Sequence, residues 1–134
     1  MKTSGAIKGL FWFAGLYDGV LGAAFLIAPG ALFEWFRVTP PNHFGYVRFP
    51  AALLVTFALM FFAVAADPWR NRNLIPYGIL LKLAYSGTVF GYWFSSGLPG
   101  LWKPFAVFDA VFALLFLQAW RMLGEGRGPR LGRP

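Results

Sequence analysis

The chain has 134 residues, of which 58% are hydrophobic and only 13% charged, whereas an ordinary soluble domain is nearer half apolar and a quarter charged. One apolar domain uses nearly all of it, which leaves no room for a soluble catalytic domain. The net charge of +7 collects in loops and tails, as membrane topology requires, and does not form a nucleic-acid-binding patch.

Four apolar stretches, residues 7–28, 45–66, 74–94 and 104–123, each have about the 20 residues that a helix needs to cross the hydrocarbon core. The first ends at Pro29-Gly30, where a helix is not expected to continue. It is not read as a cleavable signal, being longer than an h-region and lacking a small-x-small cleavage site. The segment ALFEWFRV follows, and its aromatic content predicts a short helix in the outer interface. Thr39-Pro40-Pro41-Asn42-His43 reads as a rigid turn.

The second stretch carries Arg48 and Pro50 in its first turns, where proline is tolerated because the first amides have no intrahelical partner. Asp67-Pro68 closes it, and the short link DPWRNRN makes the second and third stretches neighbours. The third has Pro76 in its first turn and ends in Ser95-Ser96-Gly97. Trp102 and Lys103 mark one boundary of the fourth, Trp120 and Arg121 the other, as interfaces favour. The predicted fold is all-α: an integral membrane four-helix bundle, up-down-up-down, over residues 1–123. Residues 124–134 are expected to be a disordered basic cytoplasmic tail.

This topology puts Lys2, Lys8, Arg70, Arg72, Arg121, Arg127, Arg130 and Arg133 on one side and Arg37, Arg48 and Lys103 on the other. Eight against three predicts both termini in the cytoplasm. Gly15 with Gly19, and Gly87 with Gly91, are small-x-x-x-small pairs that let helices approach closely in lipid. They are candidates for contact within the bundle, with a membrane-protein partner, or with a second copy.

Three charges lie inside the stretches: Asp18, Lys82 and Asp109. A charge at the centre of a span costs at least about 2.5–3.5 kcal/mol on insertion scales. Asp18 is ten residues beyond Lys8, and Lys82 ten beyond Arg72, so both lie roughly 15 Å from the same side. An Asp18–Lys82 ion pair is expected. Asp109 is six residues beyond Lys103, about 9 Å from the opposite boundary, and Arg48 enters from that boundary. Asp109–Arg48 is the second expected pair. Helical phase gives Lys82 a face shared with Tyr85, Ser86 and Trp93, and puts Phe11, Ala14, Gly15, Gly22 and Phe25 beside Asp18.

Two readings of these charges compete. In one they are structural ion pairs that fix helix order. In the other Asp18, Lys82, Tyr85, Ser86 and Trp93 line a small aromatic-walled ligand site. Catalytic sets are lacking. His43 is the single histidine and sits in a loop, and there is no cysteine. That excludes disulfides, thiolate metal sites and dithiol redox chemistry of the vitamin-K-reductase type. No serine has a histidine base at its depth, and no metal or cofactor is expected.

The run YDGVLGAAFLIAPGALFEWF, then GYVRFPAALLV, then a last stretch with an internal Asp, resembles small bacterial four-helix membrane proteins grouped as DoxX-like. The resemblance covers about residues 7–123 and implies a multi-pass protein of the bacterial inner membrane. Some members of that group accompany quinone-linked oxidoreductases; the resemblance carries over no catalytic residue. The short extramembrane chain, the lack of a catalytic set and the close-packing glycines lead to the first expectation: a non-catalytic accessory or scaffold subunit of a larger membrane assembly, an energy-transducing one among the candidates, in contact with the lipid bilayer and not with nucleic acid. The alternative is a binder or carrier of a small apolar ligand, such as a quinone, sterol or lipid, near Asp18, Lys82 and Tyr85. A membrane enzyme using Lys82 or Asp109 as acid or base has little support.

Overall fold

The structure, a computed structural model, describes residues 2–127. These form five helices: α1 Lys2–Ile27, α2 Pro29–Trp35, α3 Gly45–Ala66, α4 Ile75–Trp93 and α5 Lys103–Arg127. There is no strand among the described residues. Four helical stretches are long and apolar enough to cross a membrane. A single-turn 3-10 segment precedes α4 and another precedes α5.

Prolines mark the helix starts. Pro29 and Pro76 occupy the first turns of α2 and α4, where a missing amide hydrogen costs nothing. The first stretch ends where expected, α1 stopping at Ile27 ahead of Pro29-Gly30; the break falls at Ala28 (φ −133°), and Pro29 and Gly30 begin α2. The reason is positional: proline's fixed φ suits a helix start. At the far end of α2, Arg37 takes a left-handed φ of 57°, and the Val38 amide donates to the Phe33 carbonyl at 2.8 Å. The start of α3 is held by a side chain, since the Gly45 amide donates to His43 Nδ1 at 2.9 Å.

The last helix continues past Leu123 to Arg127, into the segment expected to be a disordered tail. The rest of that expected tail, 128–134, lies outside the described residues.

The helices pack as two close pairs, α1 with α3 and α4 with α5, and contacts between the pairs are sparse. Small residues on α1 make the first pair close. A Cβ at Gly22 would sit 2.7 Å from the Ala51 carbonyl oxygen and 2.9 Å from Leu54 Cβ. A Cβ at Gly15 would strike the Phe62 ring, and one at Gly19 would touch Ala58 at 3.4 Å. Gly15 and Gly19 are thus taken up inside the bundle. Gly87 and Gly91 are exposed and face open space.

One half of the bundle is filled. Ile7, Phe11 and Ala14 of α1 meet Phe61, Val64 and Ala65 of α3, Ile75 of α4, and Phe112, Phe116, Ala119 and Leu123 of α5. Phe11 stacks on Phe116 at 4.6 Å, and Phe61 lies 5.1 Å from the same ring. Aromatic pairs in such offset or tilted arrangements add about 0.5–1.5 kcal/mol beyond their burial. This half is pinned at its end by Arg72, whose Nε donates to the Trp120 carbonyl at 2.8 Å. The Arg72 guanidinium also lies 4.3 Å over the Trp120 ring.

The other half is closed only at its tip, where Phe25, Phe33 and Trp102 meet with ring centroids 5.7–6.2 Å apart. Phe33 comes from α2, so the short helix forms part of that lid. Its neighbours Trp35 and Phe36 stack on each other at 5.7 Å and remain exposed.

Candidate functional site

At the boundary between the filled half and the open half lies a buried ionic triad. Lys82 Nζ sits 2.8 Å from Asp18 Oδ1 and 2.9 Å from Asp18 Oδ2. It also donates to Asp109 Oδ1 at 3.2 Å. Lys82 is 0% exposed, Asp18 1% and Asp109 7%. The ammonium is further surrounded by aromatic faces, 4.9 Å from the Phe112 centroid, 5.3 Å from Tyr17 and 5.7 Å from Phe61. Such ring faces attract a cation electrostatically.

The expected Asp18–Lys82 contact is present. The expected Asp109–Arg48 pair is not formed: Asp109 turns to Lys82, and Arg48 donates from Nε to the Leu26 carbonyl at 3.0 Å. Leu26 lies in the last turn of α1, whose carbonyls lack intrahelical partners, so Arg48 caps that helix. The depth of Asp109 explains the difference. Measured from Lys103 it is shallow, but it is eleven residues from Trp120, which touches Arg72. Lys82 is ten residues from Arg72, so both reach roughly 15–17 Å from the same contact.

Above the triad, in the open half, is a cavity of about 520 Å³. Asp18 and Asp109 form its polar floor, and Phe25, Trp102, Phe105 and Tyr85 contribute aromatic walls. Its mouth lies between α3 and α4, where Tyr46, Pro50, Leu53, Ala84 and Thr88 line it and are exposed. Most of the lining is aliphatic or aromatic, and the volume falls within the range of about 300–1,000 Å³ typical of small-molecule sites.

The residues expected at a ligand site separate into two groups. Asp18 and Tyr85 line the cavity. Lys82, Ser86 and Trp93 do not: Lys82 lies beneath the floor, and Ser86 donates to the Lys82 carbonyl at 2.8 Å. Trp93 stacks on Phe90 and lies under Lys103. Asp109, Tyr46, Trp102 and Phe105 line the cavity without having been expected there. Trp102 is tied to the expected Tyr85, whose hydroxyl donates to the Trp102 carbonyl at 2.9 Å, a tertiary contact that spacing along the chain does not show. The Tyr17 hydroxyl is buried with no partner among the described residues, on a ring set among Phe105, Phe108 and Phe112.

His43 Nδ1 is engaged by the Gly45 amide. Among the described residues no three His, Cys, Asp or Glu side chains are grouped to hold a metal ion. Comparison with family models, curated proteins and solved structures gives no match.

Proposed function

We propose that this chain is a multi-span membrane protein that holds a small apolar molecule in the cavity above Asp18 and Asp109. The observation that carries the reading is the cavity: about 520 Å³, apolar walls and a carboxylate floor. Its mouth opens sideways between α3 and α4, so a molecule dissolved in lipid reaches it without crossing water. The membrane setting is supported by large apolar side chains exposed on all four long helices, among them Val20, Leu59, Leu80 and Leu114. The order of contacts along α1 and α3, Gly15 with Phe62 and then Gly22 with Ala51, supports an up-down arrangement. The basic residues support cytoplasmic termini, and the DoxX-like resemblance supports a bacterial inner-membrane location.

The test is native mass spectrometry of protein purified in mild detergent. Wild type carries a bound small molecule, and Ala84→Trp, which fills the mouth from an exposed position, loses it while keeping its helicity. Equal occupancy in both proteins sinks the reading.

A second reading, an accessory or scaffold subunit, is favoured by one observation. Gly87 and Gly91 present an open, close-approach surface on α4 that the bundle does not use. A second copy or another membrane helix fits such a surface.

A further inference from the structure

The hydrogen-bonding state of the cavity floor restricts what the cavity can take. Lys82 has three N–H bonds, and three carboxylate oxygens accept them: both of Asp18 and Oδ1 of Asp109. The Tyr85 hydroxyl proton goes to the Trp102 carbonyl, and that of Thr88 to the Ala84 carbonyl at 2.7 Å. No donor is left over at the floor; among the lining residues the Tyr46 hydroxyl, at the exposed mouth, and the Trp102 indole N–H, at the tip, lack a partner among the described residues, and the unpartnered Tyr17 hydroxyl does not line the cavity. Acceptors remain. Asp109 lines the cavity, is 7% exposed, and its Oδ2 accepts no hydrogen bond among the described residues. The Tyr17 hydroxyl is the one side-chain polar atom both buried and unpartnered among the described residues, so Oδ2, on a residue that lines the cavity, keeps accessible surface.

Formal charge points the same way. The triad sets one ammonium against two carboxylates, and no Lys or Arg lines the cavity. A surplus of negative charge faces a space walled by Phe25, Tyr85, Trp102 and Phe105. Aromatic faces beside a carboxylate favour a cation.

We infer that the occupant is an apolar molecule with a cationic, hydrogen-bond-donating head, of the alkyl- or arylammonium class, seated on Asp109 Oδ2. This rests on the cavity reading above and narrows it. A quinone, whose ring oxygens only accept, finds no donor at the floor, and a carboxylate or phosphate meets like charge.

Three probes with one cage separate the possibilities: 1-adamantylammonium, 1-adamantanol and 1-adamantanecarboxylate, titrated by calorimetry in an uncharged maltoside detergent. A charge-assisted hydrogen bond gives the ammonium an advantage of about tenfold or more over the alcohol. The carboxylate binds weakest. Asp109→Asn keeps an acceptor for Lys82, erases the ammonium's advantage and leaves the alcohol unchanged. Ala84→Trp abolishes all three. If the ammonium binds wild type no better than the alcohol, while Ala84→Trp abolishes both, the charge inference falls and the cavity reading stands. If no probe binds, or Ala84→Trp changes nothing, both fall.

Discussion

The Lys82 ammonium reaches both oxygens of Asp18, at 2.8 and 2.9 Å, but only one oxygen of Asp109, at 3.2 Å. Asp18 is therefore the stronger partner, and it belongs to α1, whereas Lys82 and Asp109 belong to α4 and α5. Removing one member of a buried ion pair leaves an uncompensated charge and costs about 3–5 kcal/mol. Lys82→Met should destabilise by that order in a denaturant or thermal unfolding assay. Adding Asp18→Asn should recover part of the loss, because one of the two orphaned carboxylates is then gone. Simple additivity of the two losses would show that the pair is not coupled.

The glycines divide into two kinds with opposite outcomes. At Gly22 the nearest obstacle to a Cβ is the backbone carbonyl of Ala51, which cannot rotate away. Gly22→Ala should cost about 1–3 kcal/mol, the usual range for overpacking. Gly87→Ala meets nothing within 4 Å and should be neutral or stabilising by up to about 1 kcal/mol through helix propensity. Melting temperatures of the two variants, measured side by side, decide the matter.

Arg72 makes two contacts with one residue, a hydrogen bond to the Trp120 carbonyl and a stack over its ring. Arg72→Ala should loosen the adjoining ends of α4 and α5 at a cost of about 1–3 kcal/mol. Arg72→Lys should not rescue it, since a lysine lacks the planar fork that stacks and donates together. Hydrogen exchange localised to those ends is the direct readout. Full protection in Arg72→Lys would count against the stack.

The open face at Gly87 and Gly91 gives a separate expectation. If a second copy or partner helix uses it, Gly87→Leu and Gly91→Leu should change the assembly seen by size-exclusion chromatography with light scattering. Both positions face open space, so the melting temperature of the isolated chain should hold. An unchanged mass in both variants removes this surface from consideration.

Much of the fold was legible from the sequence, for a physical reason. The length and apolarity of the four stretches define helices whose backbone groups are satisfied within each segment, whatever the packing. Asp18 and Lys82 were legible as partners because both depths could be counted from the same side. Asp109 was not, because counting from Lys103 placed it near Arg48. The contact of Arg72 with Trp120, which sets the register of α4 against α5, is tertiary information. The cavity was illegible for the same reason. It exists because Gly15, Gly19 and Gly22 draw α1 onto α3 while α3 and α4 stay apart, and no local pattern encodes a gap between helices.

Among the described residues, the hydrogen bonds from Lys82 to Asp18 are the only ones that join one close helix pair to the other across the long helices. The remaining material at that seam is apolar packing, aliphatic and aromatic, which has no directional bond to fix it. The molecule is thus two blades joined by a single rivet, and one half of that rivet, Asp18, is part of the cavity floor. Any occupant that draws Asp18 or Asp109 away from Lys82 slackens the joint. Filling the cavity and shifting the blades are then one mechanical event.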